Sequence, residues 1–222
     1  MINRIPNENE LKEIESYFLR KYGQLCVLDG VICPEKFYQT IPRILWILKD
    51  ANVLRLGQIR PDFSDLREAL SEVSVCNQLK GFATTYTKVV LASYEILKKT
   101  EKNLPCSCQE ILPRIAIINV KKQAGTKRVT GTEIHTFYKA DKEMLHKQIE
   151  AISPDIIINA SRNTDLFSTL SEDSARIQVG PFQVAQRTDT KRIIIHAYHP
   201  GYAFKTQLYV ELIKQCLAHC GI

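Results

Sequence analysis

Four short runs of apolar residues constrain this chain more than any other feature of its sequence: residues 44–48, 115–120, 156–158 and 193–195, rich in isoleucine and free of charge. Runs of this length cannot cross a bilayer. Continuous rather than alternating apolar character marks a strand covered on both faces. Between the runs the apolar residues take helical spacing. Leu11, Ile14, Tyr17 and Phe18 predict a helix over 9–21, and Val89, Val90, Tyr94, Ile96 and Leu97 predict one over 84–99. Residues 141–152 and 206–217 carry similar patterns, and 65–75 is a further helical stretch. Strands alternating with helices favour parallel pairing with crossovers, an α/β fold, over a barrel or a helical bundle. Gly57 and Pro61 make 53–64 a loop, 101–113 is a connection, and Gly125 with three lysines makes 121–127 a loop.

A chain of 222 residues suits one domain with one sizeable core. Its 45% apolar and 24% charged content exclude broad disorder and fibrous classes. The amino terminus shows no basic segment followed by an apolar stretch, so the expectation is an intracellular protein, cytoplasmic if bacterial, with no membrane partner. A formal charge of +6 modestly favours an anionic partner. Seven cysteines, an odd number, read as reduced thiols rather than a disulfide framework. Cys106 and Cys108, and Cys216 and Cys220, lack the two-residue gap of common zinc knuckles. The expectation is no metal and no cofactor.

The candidate chemistry sits where the apolar runs end. Asp50 follows the first run, Asn119 lies near the end of the second, Asn159 near the end of the third, and His199 follows the fourth. In a parallel sheet such exits converge. Asp50 is suited to orient a water or stabilise positive charge. Asn119 offers both a donor and an acceptor to a polar ring, and His199 could donate a hydrogen bond to a developing anion. Each also has a plain structural role open to it: Asp50 as a cap, Asn119 closing strand hydrogen bonds, His199 packing beside Pro200.

The order and spacing of these exits resemble the uracil-DNA glycosylase superfamily. Residues 44–52, with Asp50 at the water-positioning place, look like its first motif. Residues 115–119 resemble the strand ending in a base-recognising asparagine, and residues 196–201 resemble the motif that carries the catalytic histidine. The resemblance spans roughly residues 40–218 and departs from the family at two places. Leu48-Lys49-Asp50-Ala51-Asn52 stands for Gly-Gln-Asp-Pro-Tyr, and His199-Pro200-Gly201 for His-Pro-Ser.

What the resemblance implies is a three-layer αβα domain over 1–222, with a central, mostly parallel four-stranded sheet and residues 1–40 as an amino-terminal helical extension. It implies hydrolysis of the N-glycosidic bond of uracil or another damaged base in DNA, by a monomer acting on a flipped nucleotide. Asp50 and His199 would be catalytic, and Asn119, Lys49 and Asn52 would bind substrate. Lys121, Lys122, Lys127, Arg128 and Lys205 would meet phosphates, with Tyr198 and Tyr202 stacking or wedging beside them. Phe204, Phe63 and Phe82 are further aromatic candidates. The competing functions are a catalytically inactive nucleic acid binding protein of the same fold and a small-nucleoside hydrolase.

Overall fold

The computed structural model describes residues 8–52, 64–71, 85–125 and 129–222. Among these residues the protein is a mixed α/β structure around one seven-stranded sheet, rather than the four strands expected. The strands are β1 (Gly30–Val31), β2 (Ile44–Asn52), β3 (Ile115–Gly125), β4 (Ile156–Asn159), β5 (Arg176–Val179), β6 (Phe182–Gln186) and β7 (Ile193–His196). Their spatial order is β1-β3-β2-β4-β7-β6-β5. The predicted apolar runs are the central strands β3, β2, β4 and β7, all parallel. The additional strands, β1 on one side and β6 with β5 on the other, pair antiparallel.

Helices cover both faces. Ile44, Trp46 and Leu48 of β2 pack with α3 (Leu66–Ser71), α4 (Thr85–Leu97) and α8 (Thr206–Ala218). Leu45 and Ile47 point the other way, toward α1 (Glu8–Tyr22), α2 (Pro34–Gln39), α6 (Gly131–Ile152) and α7 (Thr164–Leu170). This alternation on a strand buried on both sides explains why β2 reads as an unbroken apolar run. A short α5 (Cys108–Ile111) lies in the connection before β3. Among the described residues no helix is long and apolar enough to cross a membrane.

Several sequence expectations are corrected. Lys49, Asp50 and Asn52 do not follow β2 but form its last turn of pleat, and residues 121–125 extend β3 instead of looping. The two extensions support each other, since Asp50 pairs with Lys121 and Asn52 with Gly125. Helix α6 begins at Gly131 rather than near 141, because Thr130 and Glu133 form a reciprocal capping box and Ile134, Phe137 and Tyr138 continue the apolar stripe. Residues 26–31 are not part of a helical extension. Val27 N–H donates to the Lys122 carbonyl at 2.8 Å, and Gly30 pairs with Ile117, so this segment borders the sheet. The β5–β6 hairpin went unread because β5 turns mostly to solvent and has no apolar run.

The two ends of the central sheet differ in chemistry. At the amino ends, Asp155 before β4 accepts from the Arg43 backbone and guanidinium at 2.8 to 3.2 Å, and Arg192 before β7 pairs with Glu150. These charges are satisfied within the protein. The carboxyl ends carry the groups singled out from the sequence.

Candidate functional site

Strand register sets the site. Leu48 lies beside Asn119, Asp50 beside Lys121, Ile47 beside Asn159, and Asn159 beside His196. The exits of the parallel strands are therefore level. Leu48 and Ile117 belong to the face covered by α4, and pleat alternation puts Asn119 on the side of Ile117, whereas the register shift between Asp50 and Asn52 interrupts the alternation at Asp50. The chain enters β3 on one side of β2 and returns to β4 on the other, so the strand order switches between β2 and β4, the place where ligands bind in open α/β sheets.

Asn119 is 1% exposed. Its backbone N–H donates to Asp29 Oδ2 at 2.7 Å, and its side-chain Nδ2 donates to the same oxygen at 3.3 Å. Its Oδ1 is buried without a hydrogen-bond partner among the described residues. Asp29 reaches this position because Gly30 follows it at φ +144°, a conformation open to glycine and costly for other residues. The expectation that Lys122 meets phosphate is corrected here. Lys122 is also 1% exposed, and its Nζ donates to Asp29 Oδ1 at 2.6 Å and Gln148 Oε1 at 2.7 Å. It lies on the inward side of β3, over the Phe18 ring, and is held by a buried ion pair rather than a solvated rim.

Asp50 is half-buried, and its carboxylate makes no hydrogen bond among the described residues. Burial raises its pKa above the ordinary carboxylate range, opposed by the charges of Lys121 and Lys49. The buried Tyr86 hydroxyl lies in the field of both Asp29 and Asp50, which with its own burial holds it protonated.

His199 is brought back over the α4 face by the loop that follows β7. Gly201 N–H donates to His199 Nδ1 at 3.1 Å, so the neutral ring carries its proton on Nε2, which no described residue engages. Burial, with the charges of Lys49 and Lys88, pushes the imidazole down to about 4. The loop is clamped from α4: the buried Lys88 Nζ donates to the carbonyls of Pro200 at 2.8 Å and Tyr202 at 2.7 Å. A Cβ on Gly201 would stand 3.0 Å from Thr85 Oγ1 and 3.1 Å from His199 Nδ1, so the loop packs closely on the first turn of α4.

The first turns of α4 touch the His199 loop and lie within electrostatic reach of Asp50 and Asp29. Thr85 and Lys88 fix the His199 loop, Tyr86 stands in the field of Asp50 and Asp29, and Lys49 acts electrostatically on both Asp50 and His199. Sequence reasoning treated this helix as packing alone. The one available signal was Lys88 in line with Ala92 and Ile96 on a helix face that is otherwise core.

Of the proposed nucleic acid contacts, Lys205 is exposed at the start of α8 and Lys121 is half-buried, its Nζ 5.1 Å from the Phe137 ring centroid. Tyr198 and Tyr202 stack at 5.1 Å, with Phe204 against both and against the core residue Phe182. Lys127, Arg128, Phe63, Phe82, Cys76, the 53–63 part of the expected loop and the 72–75 end of the expected helix lie outside the described residues, as does the side chain of Asn52.

Arg162 escaped the sequence reading. Its guanidinium lies over Tyr198 at 5.0 Å and Tyr202 at 5.9 Å, and it is exposed at φ 64°. The turn that presents it is locked by Asn159, whose Oδ1 accepts from Ser161 and whose Nδ2 donates to the Asn163 carbonyl. Asn159 is thereby structural.

A cleft of about 760 Å³ between α1 and α6, bordered by Tyr17, Asp141, His146 and Glu150, belongs to the opposite face of the sheet and includes none of these residues. Among the described residues no group of three or more His, Cys, Asp or Glu side chains is placed to hold a metal. No protein-family model matches the chain, and no curated protein matches it.

Proposed function

We propose that the protein is a DNA glycosylase that hydrolyses the N-glycosidic bond of uracil or another damaged base. One observation carries this reading: hydrogen-bonding groups that no described residue engages at the same end of the sheet, namely the buried Asn119 Oδ1, the Asp50 carboxylate and the His199 Nε2–H. Ordinary folds satisfy buried polar atoms, so the buried Asn119 Oδ1, at the sheet end that also carries Asp50 and His199, suits a polar ligand.

In this mechanism the target nucleotide leaves the base stack and enters the crevice. Asp50 orients a water beneath the sugar. The water oxygen bonds to the anomeric carbon as the carbon–nitrogen bond breaks, its electron pair leaving with the base, and the water proton passes through Asp50 to solvent. His199, neutral because burial disfavours its charge, donates from Nε2 to the departing base anion. Lys49, whose field reaches His199, favours the same negative charge. Arg162, Lys121 and Lys205 supply positive charge for the phosphates, with Tyr198 and Tyr202 as an aromatic platform.

The test is base release and abasic-site formation from single-stranded and mismatched DNA carrying uracil or a panel of deaminated and oxidised bases. Release of a free base supports the proposal. DNA binding with no product from any substrate rejects it in favour of a binding protein, and cleavage of free nucleosides alone favours a small-nucleoside hydrolase.

A further inference from the structure

Lys88 is 1% exposed, and no carboxylate among the described residues pairs with it. Its Nζ donates to two neutral carbonyls, those of Pro200 at 2.8 Å and Tyr202 at 2.7 Å, and lies 5.6 Å from the centroid of the Tyr209 ring. Burying an ammonium without a counter-charge is costly, and here the buried charge makes two charge-assisted hydrogen bonds to one loop. That loop is a turn closed by the Tyr202 N–H, which donates to the His199 carbonyl at 2.8 Å, with Pro200 and Gly201 at its centre. A Pro-Gly centre suits the type II turn, in which the glycine takes positive φ. Gly201 does not take it. The Pro200–Gly201 peptide is therefore turned over relative to the arrangement its sequence prefers. A planar trans peptide points its C=O and N–H to opposite sides. Lys88 holds the C=O, which leaves the Gly201 N–H facing His199 Nδ1, to which it donates at 3.1 Å.

We propose that Lys88 is a positioning residue for His199: by holding the Pro200 carbonyl it keeps the central peptide of the turn from flipping, so that the Gly201 N–H stays on Nδ1 and the imidazole presents Nε2–H to the ligand. Which ring nitrogen carries the proton follows from the hydrogen bond that the other one makes. An ammonium on the carbonyl also polarises the peptide and makes its N–H the stronger donor. Release to the type II arrangement would turn the Pro200 oxygen toward Nδ1 and favour the tautomer protonated there, whose Nε2 has no hydrogen for an anion. The effect on base release rests on the glycosylase reading of the site, whereas the setting of the tautomer does not.

Nitrogen-edited NMR of the His199 ring in the full-length protein, assigned by its loss in His199→Gln, should show the Nε2–H tautomer in excess by at least about tenfold. In Lys88→Met that ratio should fall by about threefold or more, and Lys88→Arg, which keeps a charged donor, should restore part of it. Tyr209→Phe removes a different tie to the loop, the hydroxyl that donates to the Tyr198 carbonyl at 2.8 Å, and should leave the tautomer unchanged. A ratio unaltered in Lys88→Met, or shifted equally by Tyr209→Phe, overturns the proposal. If Lys88→Met does not fold, the unsubstituted protein decides: slow solvent exchange of the Lys88 ammonium and the Gly201 N–H supports the proposal, and rapid exchange of either overturns it. Single-turnover release of uracil from single-stranded DNA should fall about tenfold in Lys88→Met with DNA affinity kept within about twofold, and an unchanged rate overturns the catalytic consequence. If the tautomer shifts while the unsubstituted protein releases no base, Lys88 positions His199 and the glycosylase reading fails.

Discussion

Acidification should destabilise this protein through two histidines held neutral at the strand exits. His196 receives the Asn159 Nδ2 at 3.3 Å and stacks on Phe167 at 5.0 Å, and burial with the nearby Arg162 charge pushes it down to about 4. His199 is pushed down to about 4 by burial and by Lys49 and Lys88. In the unfolded chain both return to an ordinary value of about 6.5. Between these values the unfolded state binds protons that the folded state refuses, so stability falls as pH drops through this window. At pH 5 the linkage is about 2 kcal/mol for each histidine, and it is nearly absent at pH 7. Urea unfolding at pH 7 and pH 5 should therefore show wild type losing about 2 kcal/mol more than His196→Gln or His199→Gln, a midpoint difference of roughly 1 M. Equal losses in wild type and variants, or an NMR titration placing either ring near 6.5, would refute the assignment of a desolvated neutral imidazole.

The same chemistry predicts a base-release rate without an inflection near pH 6.5, its acid limb set by Asp50 above the ordinary carboxylate pKa because the reactive form is the carboxylate. Asp50→Asn should lower single-turnover release by about 100-fold or more while DNA affinity is kept, and a rate unchanged in that variant excludes Asp50 as the water-orienting group. Gly201→Ala, whose methyl would meet Thr85 Oγ1 at 3.0 Å and His199 Nδ1 at 3.1 Å, should shift the imidazole and cost about tenfold in release with little loss of stability. Thr130→Ala removes the acceptor of the Glu133 N–H at 3.2 Å and should cost about 1 kcal/mol in urea unfolding, with a null effect indicating a cap replaced by water.

Much of the scaffold was legible because burial on both faces writes itself into a strand as an unbroken apolar run. The parallel quartet β2, β3, β4 and β7 and helices α1, α4 and α8 follow from periodicity, as do the exit positions of Asp50, Asn119 and His199. Edge elements were hidden for the converse reason: β5 faces solvent, and β1 contributes only Gly30 and Val31. The polar ends of β2 and β3 read as loops because their charged residues sit in a ladder that exists only when the two strands lie side by side.

The site's electrostatics belong to tertiary structure altogether. Lys122 looks like any loop lysine in sequence, and only the approach of Asp29 and Gln148, 93 and 26 residues away, makes it a buried ion pair. Lys88 becomes a loop clamp only because the carbonyls of Pro200 and Tyr202 arrive from 112 and 114 residues on. Residue type and local period determined which segments would be strands and which polar groups would stand at their ends. Whether a charge there is solvated, paired or left bare depends on dielectric and partners that long-range packing creates, and no local pattern encodes these.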